Sequence, residues 1–133
     1  MSAHAVLTEA VEAVLGAHPG LGIAIDGVFD APPARAVRPF AVVEDPVLVD
    51  WGTKDMMGRE GRLAVGLFEA GEDRARLRAL ADHATAAVAG LPRELGEGWR
   101  IASLAFVRSR IFREGPALCA AVVEFRVRML QAN

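Results

Sequence analysis

Few residues of this chain have the types and spacing that catalysis or metal binding needs. Its single cysteine, Cys119, excludes both an internal disulfide and a thiolate zinc site. The adjacent carboxylates Glu44 and Asp45 would point to opposite faces of a strand, so they cannot act together as a glycosidase pair. The three histidines form no H-x-x-x-H or H-E-x-x-H pair: His4, His18 and His83. We therefore expect no catalytic residue, no metal site and no cofactor.

The same residues fit structural roles. Cys119 lies in the apolar stretch 118–123 and should be a small buried hydrophobe, not a nucleophile. His18 follows a predicted helix, where a cationic side chain would favour the helix dipole. The sequence has no G-x-S-x-G elbow and no Walker loop, and the glycines at 20 and 22 lack the third glycine of a nucleotide loop. It predicts a protein that is not an enzyme.

Length and composition predict a single domain over residues 1–133. The chain has 133 residues, of which 53% are hydrophobic and 24% charged, values that exclude a disordered chain. Its formal net charge of −2 disfavours a protein that coats DNA or a membrane surface. Neither a signal peptide nor an apolar run of about 18 residues occurs, so we expect a cytoplasmic protein with no membrane partner.

Apolar spacing predicts two helices and several strands. The helices run from about Ala5 to Ala17 and from about Asp73 to Ala89, where apolar residues recur every three or four positions. The predicted strands are a short one within residues 23–28, Phe40–Val49 interrupted at Asp45-Pro46, Arg62–Glu69, Trp99–Phe112 and Ala117–Leu130. Between them we expect exposed loops at 30–35 and 50–61 and a turn at 113–116. This order predicts an α+β fold, a mostly antiparallel sheet with both helices packed on one face.

Positive charge is concentrated in the predicted C-terminal hairpin. Residues 1–99 carry 9 basic and 15 acidic side chains, whereas residues 100–133 carry 6 basic and 2 acidic ones. Four of these arginines lie in pairs that share a strand face: Arg108 and Arg110, then Arg126 and Arg128. They form either a solvated outer face with Glu124 as partner, or a contact with an acidic neighbouring subunit or a nucleic-acid backbone.

The predicted loop at 50–61 is a second candidate contact surface. It contains a tryptophan and two consecutive methionines, residue types that are favoured at interfaces. Long loops also tend to be functional. Trp51 either folds back onto the core or contacts a partner. The candidate interface residues of this loop are Trp51, Lys54, Met56, Met57 and Arg59.

Several strings, in this order, resemble one protein family. Gly27-Val-Phe-Asp-Ala-Pro-Pro33 precedes Arg38-Pro-Phe-Ala-Val-Val43, in which a proline–aromatic pair opens a strand. Asp50-Trp-Gly-Thr-Lys-Asp55 then leads into the long segment 58–68, and the helix and hairpin complete the order. The chain resembles the tail-completion, or tail-terminator, proteins of long-tailed phages and gene transfer agents. It departs from that pattern in having Phe40 where tyrosine is common.

The resemblance implies a structural role in a phage-like particle. Such proteins form a hexameric ring that caps the tail tube, joins it to the head connector and leaves a channel for DNA, with no chemistry. The implied partners are further copies of the chain, the major tail tube protein and the head connector or stopper protein. DNA would pass through without sequence-specific binding. The protein would be in the bacterial cytoplasm during assembly and then at the head–tail junction.

Two other functions stay open on the sequence. One is a small α+β enzyme or ligand-binding domain with a pocket between helices and sheet, which would need polar groups converging on the interior. The other is a nucleic-acid-binding module that uses the arginine hairpin, which salt-dependent retention on DNA would reveal.

Overall fold

The computed structural model describes residues 2–71 and 73–132, which form three helices and a seven-stranded sheet. The helices are α1 (Ala3–Ala17), α2 (Pro19–Gly22) and α3 (Arg74–Ala89). The strands are β1 (Val28–Phe29), β2 (Phe40–Val43), β3 (Val47–Asp50), β4 (Met57–Ala70), β5 (Glu94–Gly96), β6 (Trp99–Gly115) and β7 (Leu118–Gln131). None of the described helices is long and apolar enough to cross a membrane.

The strand order of the sheet is β1-β2-β4-β7-β6-β5, and β3 pairs with β4 beside β2. The predicted α+β class agrees with this architecture, but the expectation of a mostly antiparallel sheet needs correction. The sheet is mixed, because β1 pairs parallel to β2. The remaining pairs are antiparallel. Of the short strand expected within 23–28, only Val28 is in a strand: Ile23 caps the end of α2, and the amides of Ala24 and Ile25 bond to the Leu21 carbonyl.

Strand β4 begins five residues earlier than predicted, so the expected loop at 50–61 is wrong in its second half. Gly58 and Gly61 fall in the predicted loop, yet both lie within β4. Here the glycines permit close approach of the neighbouring chain. A Cβ on Gly61 would lie 1.7 Å from the Val47 carbonyl oxygen, and one on Gly58 would lie 2.5 Å from that of Trp51. Only residues 51–56 separate β3 from β4.

The Asp45-Pro46 interruption is where the predicted strand 40–49 divides into β2 and β3. Val43 pairs with Val65, and Val47 pairs with Arg62. Between these two pairs the chain from β2 to β3 has one residue more than β4 has. An extra residue of this kind is a β-bulge, which bends the strand. Both strands therefore pair with the same side of β4, and both lie at one edge of the sheet.

In the C-terminal hairpin, β6 ends three residues later than predicted and β7 is shifted by one residue. Strand β6 runs from Trp99 to Gly115 and β7 from Leu118 to Gln131, which shortens the connection to Pro116 and Ala117. Ala117 has a φ of 55°, a left-handed conformation suited to a tight turn. Strand β7 pairs with β4 along all 14 residues of each strand and with β6 on its other side. The hairpin and β4 therefore form the rigid centre of the sheet.

The hydrophobic core contains the buried residues of α1 and α3, Leu63, Val65 and Leu67 of β4, and the odd-numbered residues 119–129 of β7. Leu7, Leu77, Val65 and Val123 are among its fully buried members. Each long helix begins at a side-chain cap, because Ser2 Oγ accepts a hydrogen bond from the Ala5 amide and Asp73 Oδ1 accepts one from the Arg76 amide. Cys119 is buried in this core, as predicted.

Candidate interface surfaces

The four predicted arginines of the hairpin lie on one face of the sheet. Directly opposed residues of antiparallel strands share a face. The pairing sets Arg108 opposite Glu124 and Arg110 opposite Val122, and Glu124 and Val122 share the even-numbered face of β7 with Arg126 and Arg128. This face turns away from the buried odd-numbered residues of β7 and is called the outer face below.

The outer face also carries Arg62, which the sequence analysis missed. Arg62 of β4 pairs with Arg126 of β7, so the two guanidinium groups share the face. The alternation of residues 62, 64 and 66 with buried Leu63, Val65 and Leu67 is the signal that could have placed it there. The predicted partner Glu124 is present, and Glu60 is a second acid on the face.

Ion pairs neutralise only part of this face. Glu124 pairs with Arg62 through one carboxylate oxygen, and its other oxygen lies 3.5 Å from an Arg108 nitrogen. Arg128 pairs with Glu60 through its Nε. In the described part of the chain, neither Arg110 nor Arg126 has an ion-pair partner. Arg110 and Arg126 therefore leave positive charge on the outer face that no ion pair among the described residues compensates.

The loop between β3 and β4 is tied to the outer face through Trp51. The Arg128 guanidinium carbon lies 5.3 Å from the centre of the Trp51 ring, within the range of a cation–π contact. The Trp51 amide also donates a hydrogen bond to the Gly58 carbonyl at 3.0 Å. Trp51 is half-buried: its ring contacts the Arg128 guanidinium and part of it stays exposed, while contact with a partner stays a prediction.

The other candidate residues of the loop differ in exposure. Lys54 is exposed near the tip, where the Thr53 amide closes the turn on the Met56 carbonyl at 2.8 Å. Met56 is half-buried, whereas 51% of Met57 is exposed. Arg59 points to the other face, where its guanidinium carbon lies 6.0 Å from the Trp99 ring centre and a terminal nitrogen lies 3.7 Å from Asp50 Oδ1.

A small aromatic cluster covers the outer face at the β2 end. The rings of Phe40 and Phe68 stack at 5.1 Å, and Phe29 meets Phe40 edge-on at 5.9 Å. The Arg38 guanidinium lies over both stacked rings and pairs with Glu114 at 2.8 Å. The proline–aromatic pair noted in the sequence therefore buries its phenylalanine on the face opposite the main core.

The histidines form no metal site in the described residues. His18 and His83 lie close together, with ring centres 5.2 Å apart. His18 Nδ1 accepts a hydrogen bond from the Gly20 amide at 3.1 Å and so caps α2. The side chain of His18 thus caps the start of α2, and its expected role as a cationic cap of α1 stays a prediction.

Comparison with known proteins identifies the family. The family model "Tail completion protein gp17" matches residues 9–130. A chain from the solved structure "Virion of native gene transfer agent (GTA) particle" has the same fold, with a TM-score of 0.79 and 24% identity over 98% of this chain and 99% of that one. A second structure, the type 4 fimbrial biogenesis protein PilO from Pseudomonas aeruginosa, has a TM-score of only 0.40 and 12% identity over 93% of this chain and 65% of that one, too low to support an argument. No curated protein matches the chain. With the family model spanning all but its first eight and last three residues, the chain belongs to the tail completion protein gp17 family.

Proposed function

We propose that this protein is a structural component of a phage-like particle that forms a ring, caps the tail tube and joins it to the head connector. The observation that carries the proposal is the family match over residues 9–130. The shared fold with a chain of a gene transfer agent particle supports it. The ring would contain six copies, assemble in the bacterial cytoplasm and end at the head–tail junction, with DNA passing through its centre.

A ring of identical subunits needs two different surfaces that fit each other. The outer face supplies one candidate, since its Arg110 and Arg126 have no ion-pair partner among the described residues. We propose that Arg108, Arg110, Arg126 and Arg128 face a neighbouring subunit. We propose that the Trp51 loop, with Lys54, Met56, Met57 and Arg59, reaches the tail tube protein or the head connector.

The interior favours a structural role over an enzymatic one. Among the described residues, Glu69 is the only charged residue that is buried. Its Oε2 lies 3.2 Å from Arg76 Nε, so it acts as an ion-pair partner. The core cluster around it is made of aliphatic residues, phenylalanine, tryptophan, methionine and cysteine. The buried residues of α1 and α3 share that cluster with one face of β4 and β7, which supports our expectation that both long helices cover a single face.

A gene deletion tests the proposal directly. In particles produced without this protein, electron microscopy should show filled or empty capsids separate from tails, or tails of irregular length. Wild-type joining and tail length in the deletion strain would refute the proposal. Retention of the pure protein on a DNA column that weakens steeply with salt would instead favour the nucleic-acid alternative.

A charge reversal tests the arginine assignment separately. Arg126→Glu breaks no ion pair within the described chain, so its effect on assembly should come from contacts with another subunit. We expect fewer joined particles with R126E and a normal number with R78E, which places the same change at an exposed position of α3. Equal particle yields for the two variants would remove Arg126 from the interface.

A further inference from the structure

Strand β6 has a long free edge. It pairs with β7 on one side, whereas β5 covers its other side only as far as Arg100, and the Ile101 amide bonds to the Arg93 carbonyl. Among the described residues, nothing pairs with the outer side of residues 102–115. Most of residues 102–110 are exposed, including Phe106 at 52% and Val107 at 36%. An exposed edge of this length is a template for another strand.

The opposite edge of the sheet is also free where β3 forms it. Strand β3 pairs with β4 on one side only, whereas the outer side of β2 is covered by β1. Val47 and Val49 are 70% and 57% exposed. Each edge of the sheet therefore presents unpaired backbone together with exposed apolar side chains.

The strand directions allow the two edges to join in a repeating way. Strand β3 is antiparallel to β4, β4 to β7 and β7 to β6, so β3 and β6 of one chain run in opposite directions. A rotation about an axis parallel to the strands keeps these directions and brings β3 of a second copy antiparallel to β6. From this geometry we propose that β6 of each subunit pairs with β3 of the next copy, which continues the sheet from subunit to subunit around the ring.

The register within the sheet gives the alignment for a repeat without a shift along the strands. Val47 is level with Ala105, and Leu48 is level with Leu104. One row across β3, β4, β7 and β6 consists of Val47, Arg62, Arg126 and Ala105. The next row consists of Leu48, Gly61, Val127 and Leu104. In the joined sheet, Leu48 of one copy would lie beside Leu104 of the next. Both are partly buried against the core of their own subunit, so their contact would extend the apolar layer across the boundary.

Charge complementarity supports the same alignment. The Glu44 amide donates a hydrogen bond to the Ala64 carbonyl at 3.0 Å. Ala64 of β4 pairs with Glu124 of β7, which pairs with Arg108 of β6. An unshifted repeat therefore places Glu44 of one copy opposite Arg108 of the next. Glu44 and its neighbour Asp45 are exposed and have no ion-pair partner in the described part of the chain.

The occupant of the β6 edge is therefore a second copy that presents its β3 edge. Two β6 edges would bring Arg108 and Arg110 of both copies together, and two β3 edges would bring Glu44 and Asp45 together. Like charges set opposite each other on paired strands are destabilising. The heterologous pairing is the one that puts opposite charges in contact, and it is the arrangement that a ring requires.

A disulfide between copies tests this pairing, which rests on the proposed ring. Val47→Cys and Ala105→Cys in one chain cannot bond to each other, because three strand spacings of about 4.8 Å each separate their rows. In the proposed interface, the same two residues of neighbouring copies are directly opposite, within the Cα separation that a disulfide spans. The native Cys119 is buried and does not compete.

The V47C/A105C protein is oxidised both as concentrated pure protein and in a strain that produces particles, and it is analysed on non-reducing gels. We expect a ladder of multimers that collapses to monomer on reduction. V47C/A13C is the matched control, since Ala13 is exposed on α1 away from both edges, and it should stay monomeric. V47C alone should also give no dimer, because β3 does not meet β3.

The outcomes separate the edge pairing from the proposed function. If V47C/A105C is present in several copies in joined particles but forms no disulfide there, the edge pairing is wrong and the ring proposal stands. A disulfide-linked dimer of V47C alone would also overturn the pairing, in favour of a symmetric dimer. If the protein is absent from particles and its deletion changes neither tails nor joining, the proposed function fails. In that case a ladder of the pure V47C/A105C protein would still support the edge pairing. If the pure protein gave no ladder either, the edge pairing would be refuted as well.

Discussion

Replacing Gly61 with alanine should destabilise the protein by about 2–4 kcal/mol. A Cβ at this position would lie 1.7 Å from the Val47 carbonyl oxygen, 2.8 Å from its carbonyl carbon and 3.0 Å from Leu48 Cα. These are backbone atoms of β3, so no change of side-chain rotamer can relieve the contact. Strand β3 must move outward by more than about 1 Å to restore ordinary contact distances, which breaks hydrogen bonds to β4.

The size of the effect follows from how β3 is held. It is a four-residue strand paired on one side only, so the chain can relieve the clash by releasing β3. The penalty then cannot exceed the loss of a few backbone hydrogen bonds at about 1 kcal/mol each, together with the partial burial of Leu48. The estimate of about 2–4 kcal/mol comes from this limit.

Urea unfolding followed by tryptophan fluorescence measures the change, because Trp51 lies at the end of β3 and Trp99 is buried. Gly16→Ala is the matched control: nothing lies within 4 Å of a Cβ there, and alanine in the exposed end of α1 should be neutral or stabilise by up to about 1 kcal/mol. A G61A midpoint within error of the wild type would show that β3 does not need the glycine, and the account of β4 would have to be abandoned.

Three further changes test the electrostatics and the helix caps. Burial, with the charges of Asp30 and Glu9, raises the pKa of Glu12, so the fold disfavours its charged form. E12Q should therefore increase the free energy of unfolding at pH 7. This gain should vanish below about pH 4, where the carboxyl is protonated in both the folded and the unfolded state. R76A should destabilise by about 1–2 kcal/mol because it leaves Glu69 buried without its ion-pair partner, and adding E69Q should recover part of that loss in a double-mutant cycle. D73A removes the cap of α3 and should lower stability by about 1 kcal/mol in thermal unfolding, whereas D82A on the exposed side of α3 should change it little.

Regular periodicity allowed most of the fold to be predicted from the sequence. The alternation in 117–130 indicated β7, and the spacing of Leu77, Leu80 and Ala84 indicated α3, because each pattern reflects burial of a single face. Strand β4 was cut short because glycine normally weakens a strand and favours loops. Its glycines instead accommodate the backbone of β3 and of Trp51, a contact between distant segments that local sequence does not reveal.

The candidate surfaces were predicted only in part for a similar reason. Sequence alone grouped the arginines by strand, since strand periodicity gives the face of each residue within its own strand. Register between strands was needed to put all four on one face, to add Arg62 beside Arg126 and to connect Arg128 to Trp51. The free edge of β6 was not predicted, because whether a strand has one neighbour or two depends on the order of strands in the sheet.

The charges at the two free edges explain how such a sheet can assemble without aggregating. Long exposed edges invite pairing with any strand, and proteins limit this with charged residues and short edge strands. Here β3 has only four residues with acids beside it, while β6 carries arginines and three register shifts. Identical edges therefore repel each other, and unlike edges attract. The same charges that disfavour indiscriminate pairing would select the head-to-tail contact, so specificity in the proposed ring would require no additional recognition element.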